Sequence, residues 1–398
     1  MKIVHINCTF NIGSTGKIVA ALYDYSLQKG DEAFAIYGIG DINSNENIFK
    51  CVPWAVRKLQ SLRSRITGYP YGGCIWGTWS AIHILKSIKP DIVHIHCING
   101  YILNIYKLLD YLKKSKIPTV ITNHAEFMYT GGCTHAIDCK KWETGCYKCD
   151  KISKEHPISY FFDRTEKEWQ LLQKAYDGFE KLSICCVSDW VRNRAIRSPF
   201  FSKYPVLTVL NGLDTDVFHY IDSSGLKAKL GLQGKRIIVH ATPNFYNVIK
   251  GGYHVLEIAR RFPELEFVII GSEAKGKIPN NCHFVGPILD QNLLAMYYSM
   301  AELCLLTSVR ETFSMVCAES LCCGTAVVGF KAGGPETIAI PQYSTFVEQG
   351  NDDLLENALK EMLEKHYDKQ ELSDIAVKKY SKNTMCDNYY KVYYDVFN

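Results

Sequence analysis

Short apolar segments alternate with amphipathic helical segments along most of the chain, and this alternation limits the fold more than any other sequence feature. The segments KIVHIN, AFAIYG, DIVHIHC and PTVITNH have the length and the β-branched content of buried strands. Between them, IVAALYDYSLQKG and ILNIYKLLDYLKKSK place apolar residues three to four positions apart, which predicts helices. Strands separated by helices indicate a parallel sheet with both faces covered.

VLTVLNG, near residues 206–212, is predicted as a further strand. The same order of segments starts again after it, with RIIVHAT, LEFVIIGS, ELCLLTS and TAVVGF as strands. We therefore predict an α/β chain with two doubly wound, Rossmann-like halves. The expected domains are 1–205, with an irregular cysteine-rich insert at about 125–160, and 206–380. A last helix at 381–398 is expected to pack back on the first domain. Two such sheets facing a central cleft would bind ligands at the carboxyl ends of their strands.

Composition excludes several classes of protein. Hydrophobic residues make up 47% and charged residues 22% of the 398 residues, which is typical of a soluble globular chain. The net charge of +4 is too small to indicate a nucleic-acid-binding protein. No run approaches the ~18 apolar residues of a membrane span, and MKIVHINCTF lacks the features of a signal peptide. We expect a cytoplasmic protein, since most of the sixteen cysteines are scattered through apolar runs.

The segment 309–336 carries the strongest functional signal. A strand delivers Glu311 to its end, and the helix that begins near Phe313 carries Glu319. A helix start offers unpaired N–H groups and a positive dipole end, which suit a phosphate. A carboxylate at Glu319 can accept hydrogen bonds from a ribose or another diol. The alternative is local: Glu319 pairs within the helix, and Gly333-Gly334-Pro335 forms only a turn.

Taken together, these residues resemble glycosyltransferase family 4. The spacing of Glu311 and Glu319, followed by Gly333-Gly334-Pro335-Glu336, matches the pattern of that family. Other segments agree in order: GSTGK (13–17), PDIVHIH (90–96), NGLDTDVF (211–218) and Lys250-Gly251-Gly252. The resemblance covers nearly the whole chain and is more specific in the second half than in the first.

The resemblance implies the GT-B fold and a retaining, nucleotide-sugar-dependent transferase. It implies that Glu311 contacts the donor sugar, that Glu319 holds the ribose, and that Lys250 neutralises the leaving diphosphate. His124, at the end of its strand, is expected to face the donor sugar. The remaining expected contacts are with the glycine loop and the helix start: Gly13, Gly16, and the backbone N–H groups of Phe313, Ser314 and Met315. No divalent metal is expected for the chemistry.

The sequence departs from the family at one position. The family has an arginine about five residues before the lysine, whereas TPNFYNVIK contains none. Either Asn244 with a backbone group replaces it, or another basic residue reaches the phosphates.

Four cysteines in the insert form a second signal. Cys133, Cys139, Cys146 and Cys149 end in a Cys-x2-Cys pair, a spacing that suits a tetrahedral structural zinc site. His135 is an alternative ligand. Disulfides and unlinked thiols stay open as alternatives, although a reducing compartment favours a metal.

A third signal is the amphipathic pattern at 52–66. It places Val52, Val56, Leu59, Leu62 and Ile66 on one helical face, with basic residues beside them. Two interpretations are open: a helix that packs on its own domain, or a surface that contacts an anionic membrane from its inner face.

These observations predict transfer of a sugar from a UDP- or GDP-sugar to a glycan or lipid-linked acceptor, in surface polysaccharide biosynthesis. The alternatives are a nucleotide-sugar epimerase on the same fold and a non-catalytic nucleotide-sugar-binding protein. An epimerase would alter the sugar without an acceptor, and a binding protein would show no turnover.

Overall fold

The structure is a computed structural model that describes residues 1–41, 46–150, 152 and 159–398. Part of the predicted cysteine-rich insert, residues 151 and 153–158, lies outside the described residues. The chain forms two compact units. The first consists of Met1–Leu210 and Met385–Asn398, and the second of Asn211–Thr384.

The first unit is built on a parallel sheet of seven strands, in the order β3-β2-β1-β4-β5-β6-β7. The strands are β1 (Lys2–Ile6), β2 (Glu32–Tyr37), β3 (Ile48–Lys50), β4 (Ile92–Ile95), β5 (Thr119–Asn123), β6 (Leu182–Cys186) and β7 (Val206–Thr208). The helices are α1 (Gly13–Gln28), α2 (Trp54–Thr67), α3 (Ile75–Ile88), α4 (Ile105–Lys114), α5 (Thr165–Tyr176) and α6 (Asp189–Ala195). The central strands β4, β5 and β6 are buried along their whole length, as expected of a sheet covered on both faces.

The second unit has a parallel sheet of six strands, in the order β10-β9-β8-β11-β12-β13. Its strands are β8 (Ile237–Ala241), β9 (Glu266–Ile270), β10 (Cys282–Gly286), β11 (Leu303–Leu306), β12 (Ala326–Phe330) and β13 (Ser344–Val347). Its helices are α7 (Ser224–Lys229), α8 (Gly252–Arg261), α9 (Gln291–Met300), α10 (Met315–Cys322), α11 (Gly334–Ile338), α12 (Asp352–Glu364) and α13 (Lys369–Tyr380).

The predicted fold class is confirmed: both sheets are parallel and doubly wound. In each sheet the chain order reverses beside the first strand, between β1 and β4 and between β8 and β11. Loops that leave adjacent strands on either side of such a reversal turn in opposite directions and open a crevice at the carboxyl ends. The residues after β8 and β11 therefore lie at the natural binding position of the second sheet.

The last helix, α14 (Lys382–Phe397), contributes to the core of the first unit. Met385, Cys386, Tyr389 and Tyr393 are buried in one apolar cluster with residues of β1, β4, β5 and α1. The hydroxyl of Tyr389 accepts a hydrogen bond from the Thr122 hydroxyl at 3.0 Å. The polar ends of these tyrosines thus find partners inside the core, as buried tyrosines require.

Two local predictions were wrong. Residues 13–17 were predicted as a loop but form the first turn of α1. The helix start packs closely against Thr9, and this requires glycine at position 16. A Cβ there would lie 2.7 Å from the Thr9 hydroxyl. The strand predicted at 206–212 ends at Thr208.

Candidate functional site

Lys250 and Glu311 meet at the carboxyl ends of the two central strands of the second sheet. Lys250 ends a short 3-10 helix (Val248–Lys250) in the segment after β8, and Glu311 lies in the loop after β11. The Lys250 Nζ is 2.6 Å from the Glu311 Oε1, and the two side chains are 31% and 26% exposed. The sequence thus brings together one cation and one carboxylate that remain accessible to a ligand.

Glycine at 251 is what lets the Lys250 segment approach β11. Gly251 has φ +65°, and a Cβ there would lie 2.2 Å from the carbonyl oxygen of Thr307. The two segments are joined by hydrogen bonds from the Val309 N–H to the Ile249 carbonyl (2.8 Å) and from the Thr307 hydroxyl to the Lys250 carbonyl (3.1 Å). A larger residue at 251 would push Lys250 away from Glu311.

Two further glycines, Gly333 and Gly334, lie against the loop that carries Glu311. The Glu311 N–H donates to the Ala332 carbonyl at 3.0 Å, and the Gly334 N–H donates to the Glu311 carbonyl at 2.8 Å. A Cβ at Gly334 would lie 2.4 Å from the carbonyl carbon of Thr312. The Glu336 carboxylate accepts the N–H of Gly333 at 2.8 Å and so fixes the turn. Both backbone polar groups of Glu311 are therefore hydrogen-bonded. Its side chain takes no part in these bonds and stays partly exposed.

The start of α10 has a strained backbone. Ser314 has φ +78°, which is unusual for a residue with a side chain, and its hydroxyl accepts the Cys317 N–H at 3.3 Å. Strain of this kind is commonly kept where a site needs a particular backbone direction. As the first residues of a helix, Ser314 and Met315 have N–H groups without acceptors inside that helix. Phe313 is buried. The anion site expected at this helix start stays a prediction.

Glu319 and Asn244 have different surroundings. Glu319 lies in the second turn of α10, half-buried, and accepts a hydrogen bond from the Tyr298 hydroxyl at 3.1 Å. Asn244 is exposed, and its backbone carbonyl accepts the Asn247 N–H at 2.9 Å. Arg310, directly before Glu311, is a basic residue of the same loop that was not predicted from the sequence.

His124 belongs to the first unit, where it ends a line of three hydrogen-bonded imidazoles. Its Nε2 lies 3.3 Å from the His96 Nδ1, and the His96 Nε2 lies 3.3 Å from the His5 Nδ1. Burial lowers the pKa of His124 to about 4 and that of His5 to about 3. Burial also lowers the pKa of His96. All three rings are therefore neutral near neutral pH. Since each neutral ring carries one proton, the tautomer of His124 is tied to that of His5 through His96.

The histidines also contain the one group, among the described residues, in which three potential metal ligands lie within 4.8 Å of one another. This group is His5, His94 and His96. Both nitrogens of His94 are already in hydrogen-bond contact, with the Tyr393 hydroxyl at 2.7 Å and the Thr122 hydroxyl at 2.8 Å. The nitrogens of His96 are in contact with other histidines. The arrangement is therefore that of a hydrogen-bonded network within the core.

Gly13 and Gly16 stand in the first turn of α1 in the first unit. Gly13 has φ +68° and open space around it, whereas Gly16 packs against Thr9. The Asn11 N–H donates to the Gly16 carbonyl at 2.9 Å, which folds the preceding turn onto the helix start. The expected ligand contacts of these glycines stay a prediction.

The four cysteines of the insert line one small pocket. Cys133, Cys139, Cys146 and Cys149 all border it, and none is in a disulfide. The Gly131 N–H donates to the Cys146 sulfur at 3.2 Å. A hydrogen bond with Cys149 and burial raise the pKa of the Cys133 thiol. The four cysteines border the same pocket, although their sulfurs do not form a group as tight as the histidine group described above.

A buried ion pair ties the start of the insert to α6. The Glu126 carboxylate is fully buried and accepts the Arg194 Nε–H at 2.6 Å, the Tyr129 hydroxyl at 3.0 Å and the Ala136 N–H at 2.7 Å. Arg194 also stacks on Trp142, with its guanidinium carbon 5.2 Å from the ring centre. Neither Glu126 nor Arg194 was predicted from the sequence, because a lone Glu after a strand gives no sign of its partner.

Comparison with known proteins identifies the family. Residues 224–380, which contain Lys250, Glu311 and Glu319, match the family model of glycosyl transferases group 1. Residues 224–380 are therefore identified as a group 1 glycosyltransferase domain. The predicted resemblance is thereby confirmed at the family level.

Two curated proteins match this chain at a distance. One is WcaC of Escherichia coli (strain K12), provisionally named a colanic acid biosynthesis glycosyl transferase, 21% identical over 168 residues. That match covers 40% of this chain and 42% of WcaC. The other is N-acetyl-alpha-D-glucosaminyl L-malate synthase of Bacillus anthracis, 25% identical over 206 residues, with 48% of this chain and 54% of the relative covered. The matches thus span about half the length of these relatives.

Solved structures confirm the GT-B fold of this chain. Sucrose-phosphate synthase of Thermosynechococcus elongatus superposes with a TM-score of 0.70 at 14% identity, over 100% of this chain and 99% of that one. Anabaena HepE, solved in complex with UDP, superposes with a TM-score of 0.65 at 15% identity, over 98% and 99% of the two chains.

Proposed function

We propose that the chain is a retaining glycosyltransferase that moves a sugar from a UDP- or GDP-sugar to a glycan or lipid-linked acceptor. The observation that carries this proposal is the Lys250–Glu311 pair, 2.6 Å apart at the reversal point of the second sheet. A related fold, HepE, is known in complex with UDP-glucose, which makes that compound a natural first donor to test. The name of WcaC supports a role in polysaccharide biosynthesis.

The two charges of the pair suit two parts of a nucleotide sugar. The Lys250 ammonium is a compact cation that can move from the carboxylate to a diphosphate and stabilise its growing negative charge as the sugar leaves. Glu311 is then released to accept hydrogen bonds from sugar hydroxyls. The N–H groups at the start of α10 offer further donors to the phosphates, and Glu319 offers acceptors to the ribose.

The reaction we propose needs no nucleophile from the protein. The acceptor oxygen bonds to the anomeric carbon on the face from which the phosphate departs, and the carbon–phosphate oxygen bond breaks. The proton of the acceptor hydroxyl passes to the departing phosphate oxygen. The protein contributes position and charge stabilisation. The roles proposed for His124, Gly13 and Gly16 of the first unit, contact of the His124 imidazole with the donor sugar and contact of the two glycines with the ligand, are those that the family resemblance implies.

Glu311→Gln tests the donor site. Losing the carboxylate while keeping its shape is expected to lower sugar transfer about 100-fold or more, because one strong transition-state contact is lost. The measurement is release of nucleotide and glycosylated product from a panel of UDP- and GDP-sugars. Glu361→Gln, an exposed glutamate of α12, is the matched control and should keep wild-type activity.

Three outcomes would contradict the proposal. Full activity of Glu311→Gln would remove the donor-site assignment. An altered sugar nucleotide without transfer would favour the epimerase alternative. Binding of sugar nucleotides without any turnover by the wild-type chain would favour a binding protein. Melting curves of each variant separate these results from loss of the fold.

We also propose that the four cysteines hold one structural zinc ion. Four sulfurs around one pocket supply a complete tetrahedral set and leave no open position for chemistry. The neighbouring N–H of Gly131 suits a thiolate at Cys146. Metal analysis of protein purified under reducing conditions should give about one zinc per chain. Cys146→Ser together with Cys149→Ser should lose it, whereas Cys282→Ser, a cysteine outside the insert, should retain it. A zinc-free protein with a wild-type melting temperature would exclude the site.

We place the chain in the cytoplasm, in peripheral contact with the membrane through 52–66. None of the sixteen cysteines, all in described residues, is in a disulfide. One of the two acceptor classes proposed above, the lipid-linked acceptors, is held in a membrane by its lipid. Within the part of the chain that the structure describes, no helix has the length and apolar character needed to cross a bilayer.

A further inference from the structure

Helix α2 turns its apolar side outward. Its buried residues are Gln60 and Ser64, whereas Leu59, Leu62 and Ile66 are exposed. At 100° per residue these three apolar side chains fall within about 60° of one another, on the side opposite to Gln60 and Ser64. A surface helix normally buries its apolar stripe against its own domain. Val52 of the predicted apolar face is buried, as the packing interpretation expects, but the ridge formed by Leu59, Leu62 and Ile66 does not pack on the domain.

More exposed aromatic side chains lie at the start of α2 and on the segments joined to it. Trp54, Trp76, Trp79 and Phe161 are between 64% and 70% exposed. Trp76 and Trp79 stand in the first turns of α3, a few residues after α2 ends. The segment of Phe161 is fixed to α2 by the Tyr160 N–H, which donates to the Arg65 carbonyl at 2.8 Å. Tryptophan is the residue most typical of the membrane–water interface.

A basic pocket opens beside the ridge, between α2, α4 and α5. Its volume is about 600 Å³, and its cationic lining residues are Arg63, Lys107, Arg164 and Lys167. None of the described lining residues is acidic. Within residues 1–41, 46–150, 152 and 159–398, none of these four cations is in an ion pair. Four cations without carboxylate partners are ready to bind an anion.

The wall of this pocket also holds two of the cations in place. The Arg164 guanidinium carbon is 5.3 Å from the Phe162 ring centre and 5.6 Å from that of Tyr69. The Lys167 ammonium is 5.4 Å from the same Tyr69 ring. Cations stacked on aromatic faces keep their donors free for a ligand. Asn104 and Thr67 add uncharged polar groups to the lining.

We propose that the basic pocket binds the phosphate-bearing head group of a membrane lipid while the apolar ridge lies in the bilayer interface. A soluble anion would account for the cations but leave the exposed ridge and tryptophans without a partner. A second copy of this chain would bring a second set of cations against the first. A bilayer that contains anionic lipids satisfies both surfaces together. Lipid binding by this pocket does not depend on the proposed function. Only the further step, that the bound lipid is the sugar acceptor, rests on the proposed function.

The experiment measures binding of the full chain to vesicles without any donor present, so its failure and failure of sugar transfer are separate results. We expect binding to phosphatidylcholine vesicles that contain phosphatidylglycerol and much weaker binding to phosphatidylcholine alone. Arg63→Ala with Lys167→Ala should weaken binding about tenfold or more, since each removes a cation near the lipid surface. Lys114→Ala with Lys203→Ala is the charge-matched control, because both are exposed cations of the first unit outside the pocket.

The ridge has its own pair of variants. Leu59→Ser with Leu62→Ser should also weaken vesicle binding about tenfold. Leu289→Ser with Leu354→Ser, two exposed leucines of the second unit, should leave it unchanged.

Three results would overturn the inference. One is equal binding to vesicles with and without phosphatidylglycerol. Another is calorimetric binding of inorganic phosphate by a chain that ignores every vesicle. The third is self-association that Leu59→Ser with Leu62→Ser abolishes, in a chain that binds no vesicles.

Discussion

Glu168 is a carboxyl group in a place where an ionised carboxylate is costly. It is 2% exposed, and within the described structure neither of its oxygens has a hydrogen-bond partner. It lies just behind the wall of the basic pocket, since a Cβ at Gly72 would be 3.9 Å from its Oε1. Burial raises the pKa of Glu168 well above the usual 4.5.

Glu168→Gln should change how stability depends on pH. Above about pH 4.5 the unfolded chain loses a proton that the folded chain retains, so this group lowers the free energy of unfolding as pH rises. Glutamine does not titrate, so the variant lacks this pH dependence. As pH rises, its free energy of unfolding should increase relative to that of the wild type by up to about 1.4 kcal/mol per pH unit. Urea unfolding over a pH series measures the difference.

The matched control for that prediction is Glu166→Gln, an exposed glutamate of the same helix, α5. Its difference from wild type should not grow with pH. A constant difference for Glu168→Gln as well would contradict the assignment of a raised pKa to Glu168.

The strands and helices whose apolar residues recur at a regular spacing were predictable from the sequence. The buried strands and the amphipathic helices follow from spacing alone, because one face of each must be covered. The positions of Glu311 after β11 and of Lys250 after β8 followed from the strand order and the family pattern. The glycines at 251 and 334 were noticed as a pattern, and the structure adds their reason: two close backbone approaches.

Other elements could not be predicted, because their partners are distant in sequence. The helix α2 has an ordinary amphipathic pattern, and nothing in that pattern tells which side the domain covers. The Lys250–Glu311 ion pair joins residues 61 positions apart, and the sequence argument gave each a separate role. The backbone of Ser314 is set by its surroundings, since serine has no preference for a positive φ. Contacts of this kind can be found only from the three-dimensional structure.

At the scale of the whole molecule, buried histidines are distributed over both sheets. His5, His94, His96 and His124 lie in the first unit, and His240 lies on β8 of the second. Burial lowers the pKa of each of them. Below about pH 6.5 the unfolded chain therefore takes up protons that the folded chain does not.

We expect the protein to lose stability steeply as pH falls from about 6.5 to about 4, the pKa of His124 and His240. Each buried histidine contributes a slope of about 1.4 kcal/mol per pH unit, opposite in sign to that of Glu168. His5→Gln should reduce the slope by about one such contribution, whatever its effect on stability near neutral pH. His219→Gln, at an exposed histidine, is the control and should keep the wild-type slope. Urea unfolding at a series of pH values measures the slopes. An unchanged slope for His5→Gln would show that His5 does not contribute to the acid unfolding.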